Sequence, residues 1–176
     1  KLKKLANNAI SFSINRIIEI FGISIFVTGI LLLFSLITFS PDDPNFIFPN
    51  DTQIKNILGF RGSFTADIFF QSFGLIVLLI PFTLIAAGLN IILNKKFFLI
   101  LDSFFYTILY SLFGSLFFSF FYPLTFKLYI NGNGGFVGNY LETTFLNSII
   151  SFNSQVSYFI LVLLIVVLFL ISIHFK

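Results

Sequence analysis

The chain has 176 residues, of which 57% are hydrophobic and only 10% charged, with a formal net charge of +3. Ten basic and seven acidic side chains cannot cover a core of that apolar content, so a soluble globular domain is excluded and lipid is the expected solvent. The basic residues are scattered rather than striped with aromatics, which excludes direct DNA binding by this segment, and the absence of cysteine excludes disulfides and thiolate metal sites. The 29 phenylalanines, with no Trp or Met, read as A+T-rich codon usage rather than a Phe-specific function, and the missing initial Met reads as a segment of a longer chain.

Four apolar runs are long enough to cross about 30 Å of hydrocarbon as helices. They cover residues 17–39, 66–93, 97–122 and 156–176. Their continuity excludes the alternating strands of a porin-type barrel, and their length excludes a cleaved signal. The expected fold is all-α: an integral membrane four-helix bundle with short amphipathic helices on its outer surface, forming a single membrane domain over 1–176. Residues 1–16 and the link 94–96 carry Lys1, Lys3, Lys4, Arg16, Lys95 and Lys96, and Lys176 follows the last span. Residues 40–65 and 123–155 hold Lys55, Arg61 and Lys127 beside acids that include Asp42, Asp43, Asp51 and Glu142, with Asp67 at the border of the second run. By the positive-inside rule both termini are cytoplasmic.

Span one stops on Ser-Pro-Asp-Asp-Pro. Pro41 and Pro44 cannot continue a helix, and Asp42 and Asp43, with no basic residue beside them in sequence, read as an outer turn rather than a cation site. Ahead of span two, Thr65 reads as N-cap. Asp67 then falls in the first helical turn, paired with Arg61, and a proton relay with Gln71 is the competing reading. Pro81 is expected to bend this span and to leave the carbonyl of Val77 without its usual partner.

Glu19 and Asp102 lie within reach of Arg16, Lys95 and Lys96, so no charge occupies a clear mid-membrane position, which argues against a transporter. In span three, Ser103, Thr107, Ser111, Ser115 and Ser119 recur every fourth residue with Gly114 beside them. Such a stripe forms a groove for close helix packing, expected within the same chain. Asn131 to Asn139 is glycine-rich but lacks the spacing of a nucleotide loop. Asn139 and Glu142 read as a capping box for a short helix whose Leu141, Phe145 and Ile149 share one face against the outer leaflet or the bundle. His174, the sole histidine, reads as an interfacial residue.

At three separated places the chain resembles the N-terminal membrane domain of the FtsK family of bacterial DNA translocases. "FSPDDPNF" is similar to the family's ending of the first span. "NILGFRGSFTADIFFQSFG" resembles its pattern of glycines, a small residue, alanine-aspartate and phenylalanine-glycine, at Gly59, Gly62, Ser63, Ala66, Asp67, Phe73 and Gly74. "GGFVGNYLETTF" resembles its glycine-rich entry before the last span, with Gly134, Gly135 and Gly138. The resemblance implies a membrane anchor in the bacterial inner membrane, targeted to the division septum, with divisome membrane proteins and the bilayer as partners and self-association as a hexamer. It implies a cytoplasmic motor that couples chromosome segregation to cell division. No catalytic, cofactor or metal residue is expected in this segment; ATP and Mg belong to the motor domain. The competing readings are a free-standing small channel or transporter, and, with least support, a membrane-embedded enzyme.

Overall fold

The computed structural model describes residues 2–44, 53–123 and 131–175. Lys1, Asp51, Lys127 and Lys176, which enter the charge-based orientation, lie outside the described residues, as do Asn45 and Phe46 of the first motif. Helices α1 (Leu2–Ile37), α2 (Gly59–Phe73), α3 (Ile80–Asn94), α4 (Leu99–Phe121), α5 (Gly135–Glu142), α6 (Phe145–Phe152) and α7 (Ser154–Ser172) follow in order, with a 3-10 segment, Gly74–Leu79, between α2 and α3. There is no strand among the described residues. By length and composition Ile10–Ile37, Gly59–Asn94, Leu99–Phe121 and Ser154–Ser172 are apolar enough to cross a membrane. The outward faces agree with that: Phe98 is 75% exposed and Phe159 72%, surfaces that water would not tolerate in such number but lipid does.

The bundle is two helix pairs, α1 on α3 and α4 on α7, joined more loosely through α3 and α4. Because lipid tails are as apolar as Leu, burial between helices stabilises little here; close backbone approach and interhelical hydrogen bonds must hold the pairs. Glycines supply the approach between α1 and α3. A Cβ on Gly88 would lie 2.6 Å from the Phe26 nitrogen and 2.8 Å from the Gly22 oxygen, and one on Gly29 would meet the Ile85 nitrogen at 2.9 Å. Gly22 and Gly29 are seven apart, hence on one face of α1.

Span two departs from a gently bent helix over 66–93. It begins at Gly59, seven residues earlier, because Asn56 builds the preceding turn: its side-chain Oδ1 accepts from Leu58 N at 3.1 Å and its carbonyl from Gly59 N at 2.9 Å. It then folds sharply. Ser35 Oγ donates to the Gly62 carbonyl at 2.6 Å, while Gly29 meets Ile85. Those two points are six residues apart on α1, about 9 Å, whereas a straight helix would separate residues 62 and 85 by about 34 Å. So α2 runs across one end of the bundle, from α1 to α4, and α3 makes the descent.

Pro81 sits in the first turn of α3, where its missing N–H costs nothing. The carbonyl of Val77 is not left unpaired, as expected from an unbroken helix; the chain tightens to 3-10 geometry and the Ile80 N–H donates to it.

Thr65 does not cap. It lies inside α2 and its Oγ1 donates to the Arg61 carbonyl at 2.7 Å, which places Asp67 two turns into the helix rather than in its first turn. Arg61 and Asp67, six positions apart on a continuous helix, point about 120° away from each other and form no ion pair among the described residues. Nor is there one helix after the glycine loop. It is broken at Thr143 and Thr144, with Thr144 Oγ1 accepting from Leu146 N at the start of α6. Of the expected apolar face, Phe145 and Ile149 are exposed and Ile150 is buried instead.

Candidate functional site

The loop end of the bundle, where α1 hands over to α2 and α4 to α5, carries two polar knots. In the first, Asp43 is only 3% exposed, and its carboxylate accepts from the backbone N–H of Lys55 at 2.8 Å and of Asn56 at 2.9 Å. Asn56 Nδ2 in turn donates to the Ser35 carbonyl at 2.8 Å, and Ser63 Oγ to the Pro44 carbonyl at 3.3 Å. Gly62 is required here, since a Cβ would lie 2.1 Å from Asn56 Oδ1. The aspartate pair therefore has partners invisible to local sequence: Lys55 Nζ lies 2.9 Å from Asp42 Oδ2, twelve to thirteen positions downstream of the pair. That contact holds the Lys55 ammonium above its usual range. Pro41, Asp42, Asp43 and Pro44 form the turn that makes this closure.

The second knot joins α2, α4 and α5. Gly74 ends α2 at φ +71 and ψ −148, a region essentially confined to glycine, and its Cβ position falls 1.9 Å from the Asn133 oxygen. Leu75 N donates to that same oxygen at 2.9 Å. Gly135, at φ +66, would place a Cβ 2.5 Å from the Gly74 nitrogen, so two glycines on separate segments exclude side chains from one crossing. On α4, Ser115 Oγ donates to the Phe73 carbonyl at 2.8 Å, and Ser119 Oγ lies 2.9 Å from Asn139 Oδ1 and 2.5 Å from Glu142 Oε2. Cβ atoms on Gly134 and Gly138 would strike the Ser115 carbonyl at 2.6 Å and 2.3 Å. Asn139 and Glu142 thus reach α4 instead of capping a helix. Gln71 accepts from Asn131 N at 3.3 Å and receives its Nδ2 on the backbone carbonyl at 3.2 Å, while its own Nε2 donates to the buried Asp67 at 3.5 Å. Ala66, fully buried, packs in the adjoining core with Phe70.

The serine stripe on α4 meets several partners rather than one helix. Ser103 Oγ lies 3.2 Å from His174 Nε2, itself 3.3 Å from the Leu99 carbonyl, so α7 finishes beside the start of α4. Thr107 Oγ1 donates back to the Ser103 carbonyl at 2.7 Å. Ser111, whose hydroxyl has no partner among the described residues, lines a cavity of about 380 Å³ between α3 and α4. Gly114 leaves room for Ile76, whose side chain lies 2.2 Å from the Cβ position. Between these lies a set of hydroxyls missed by sequence reasoning: Thr83 Oγ1 is 3.1 Å from Tyr110 OH and 3.0 Å from Ser172 Oγ, linking α3, α4 and α7. The available signal was Thr83, Tyr110 and Ser172 as polar atoms inside apolar spans; such bonds average about 0.6 kcal/mol each in a membrane.

At the opposite, link end, Glu19 accepts from Arg16 and from Lys95 Nζ at 3.0 Å, and Lys95 closes α3 in the left-handed region at φ 54. Asp102, exposed in the first turn of α4, has the dipole-complementing position expected of Asp67. No group of three metal-binding side chains occurs among the described residues. The arrangement closes backbone against backbone at the loop end of the bundle and through side-chain ion pairs at the link end.

A family model described as the 4TM region of the DNA translocase FtsK/SpoIIIE matches residues 15–176, which take in most of the first candidate span, the other three in full and both knots. The chain belongs to this family. The chain is similar, over 87 residues at 29% identity, to a protein of Agrobacterium fabrum (strain C58) described as DNA translocase FtsK. That similarity covers 49% of this chain and 10% of the relative, so the chain corresponds to a small part of that relative's length. No solved structure matches the chain.

Proposed function

We propose that the chain anchors a DNA translocase in the bacterial cytoplasmic membrane and brings it to the division septum, with both termini on the cytoplasmic side. The observation that carries this reading is the family match over residues 15–176, which takes in every helix of the bundle except the first part of α1. Charge supports the orientation: Arg16, Lys95 and Lys96 gather at the link end, whereas Lys55 and Arg61 share the loop end with Asp42 and Asp43. The contact between His174 and Ser103 puts the exit of α7 at that same basic end, which in this reading is the cytoplasmic side. In this reading motor chemistry, with its ATP and Mg, belongs to another part of the translocase, and this segment contributes anchoring rather than ATPase activity; the sequence offers no G-x-x-x-x-G-K-[ST] loop that would speak for a motor. The knots at the loop end present a fixed outer surface for divisome membrane proteins, and the lipid-facing helices permit assembly alongside a hexameric motor.

An anchor accounts for the bundle interior better than a channel does. Val77, Tyr110 and Leu116 fill its centre, each 2% exposed or less, and the buried hydroxyls mostly pair with one another or with backbone carbonyls. The test is deletion of residues 1–176 from the translocase in its host. The expected result is a motor that hydrolyses ATP in the soluble fraction and is absent from the septum; continued septal enrichment would defeat the targeting role.

A further inference from the structure

Between α1 and α2, capped below by Leu84 of α3, lies a groove of about 450 Å³, within the size range of small-molecule sites. Its shape follows from the fold in span two: α1 and α2 touch at Ser35 and Gly62, α1 and α3 touch at Gly29 and Ile85, and the wedge between those contacts is left unfilled. Leu31, Leu32, Phe69 and Leu84 make its wall apolar, and among the described residues Arg61 is the one charged side chain lining it. Arg61 stands at the loop end, beside the Gly62 carbonyl that Ser35 holds two residues before the end of α1. Thr28, at the far end of the groove on α1, is seven residues deeper, about 10 Å.

We infer that this groove binds one anionic phospholipid, with the phosphate on the Arg61 guanidinium and an acyl chain lying along Leu31 toward Leu84. The wall matches a molecule with a charged head at the membrane surface and an apolar tail reaching inward. A planar guanidinium suits a phosphate in fork geometry. The charge of Arg61 is not already spent: it has no ion pair among the described residues, no acid lies in the first turn of α2, Asp42 holds Lys55, and Asp43 is engaged by two backbone N–H groups. An apolar helix from a second copy would leave that guanidinium unpaired, which is why a lipid is the favoured occupant.

The inference does not rest on the anchor reading. Native mass spectrometry of the full chain, released from micelles supplemented with phosphatidylglycerol or phosphatidylcholine, tests it through adduct occupancy. The chain is expected to retain one phosphatidylglycerol in preference to phosphatidylcholine. Arg61→Gln should weaken retention about tenfold, while Lys55→Gln, whose side chain is off the groove, leaves it unchanged. Leu31→Trp, which fills the wall without touching the charge, should lower retention of both lipids. Equal retention by the wild-type chain and Arg61→Gln, or an equal loss with Lys55→Gln, would overturn the site. So would a disulfide-linked dimer formed by Thr65→Cys in phosphatidylglycerol membranes, because a second chain would then occupy the groove.

Discussion

Replacing Gly74 by alanine tests how tightly the second knot is closed. The residue sits at φ +71 and ψ −148, where a side chain costs about 1–3 kcal/mol in backbone strain alone. Its Cβ would also lie 1.9 Å from the Asn133 oxygen and 2.5 Å from the Asn133 carbonyl carbon, both backbone atoms with no rotamer to change. The segment around Asn133 must therefore retreat, which breaks the 2.9 Å bond from Leu75 N and leaves a half-buried donor unpaired, at a further cost of about 1–3 kcal/mol. The sum is about 2–6 kcal/mol. At about 2–4 °C per kcal/mol for a chain of this size, Gly74→Ala should melt at least about 4 °C below the wild-type chain in micelles. Gly59→Ala is the control: it shares a positive φ, +65, but its Cβ position has nothing within 4 Å, so it bears only the conformational cost of about 1–2 kcal/mol. Equal melting shifts for the two variants would mean that the glycine crossing is not closed as described.

Asp43→Ala removes a buried acceptor of two charge-assisted backbone bonds and should destabilise the loop end by about 3 kcal/mol, seen as a lower melting temperature and faster proteolysis after Pro44. Gly88→Leu forces α3 away from the Phe26 and Gly22 backbone and should exceed the Gly59→Ala shift in the same melt; a shift no larger would count against a close α1–α3 crossing. The Lys55 ammonium, held up by Asp42, contributes fully below its unfolded value of about 10.4 and is lost only as pH rises through its higher folded value. A melt series should therefore show no change from this pair between about pH 6 and 9 and a decline only in strong alkali.

The sequence made the spans legible because a run without charge that is long enough to cross lipid has few other fates. It made the stopping point of span one legible as well, since Pro41 and Pro44 act locally. What it hid were pairings across many residues. Asp42 and Asp43 looked unpartnered because Lys55 and Asn56 stand more than ten positions away and join them only once α2 has turned over the bundle end. Thr65 looked like a cap because the apolar run begins there, whereas the helix begins where Asn56 turns the chain. The stripe from Ser103 to Ser119 was visible by its spacing, but periodicity cannot say that its members would meet α7, the α2 terminus and α5 in turn.

The central claim is that these residues suffice to hold a protein in the membrane at the division site. The direct measurement is fluorescence imaging, in dividing bacteria, of the 176-residue chain fused through its C-terminus to a fluorescent protein that matures in the cytoplasm. A fluorescent band at mid-cell that resists carbonate extraction is the expected result. Dark cells with normal protein levels would contradict the orientation, and an even membrane signal without a mid-cell band would contradict septal targeting.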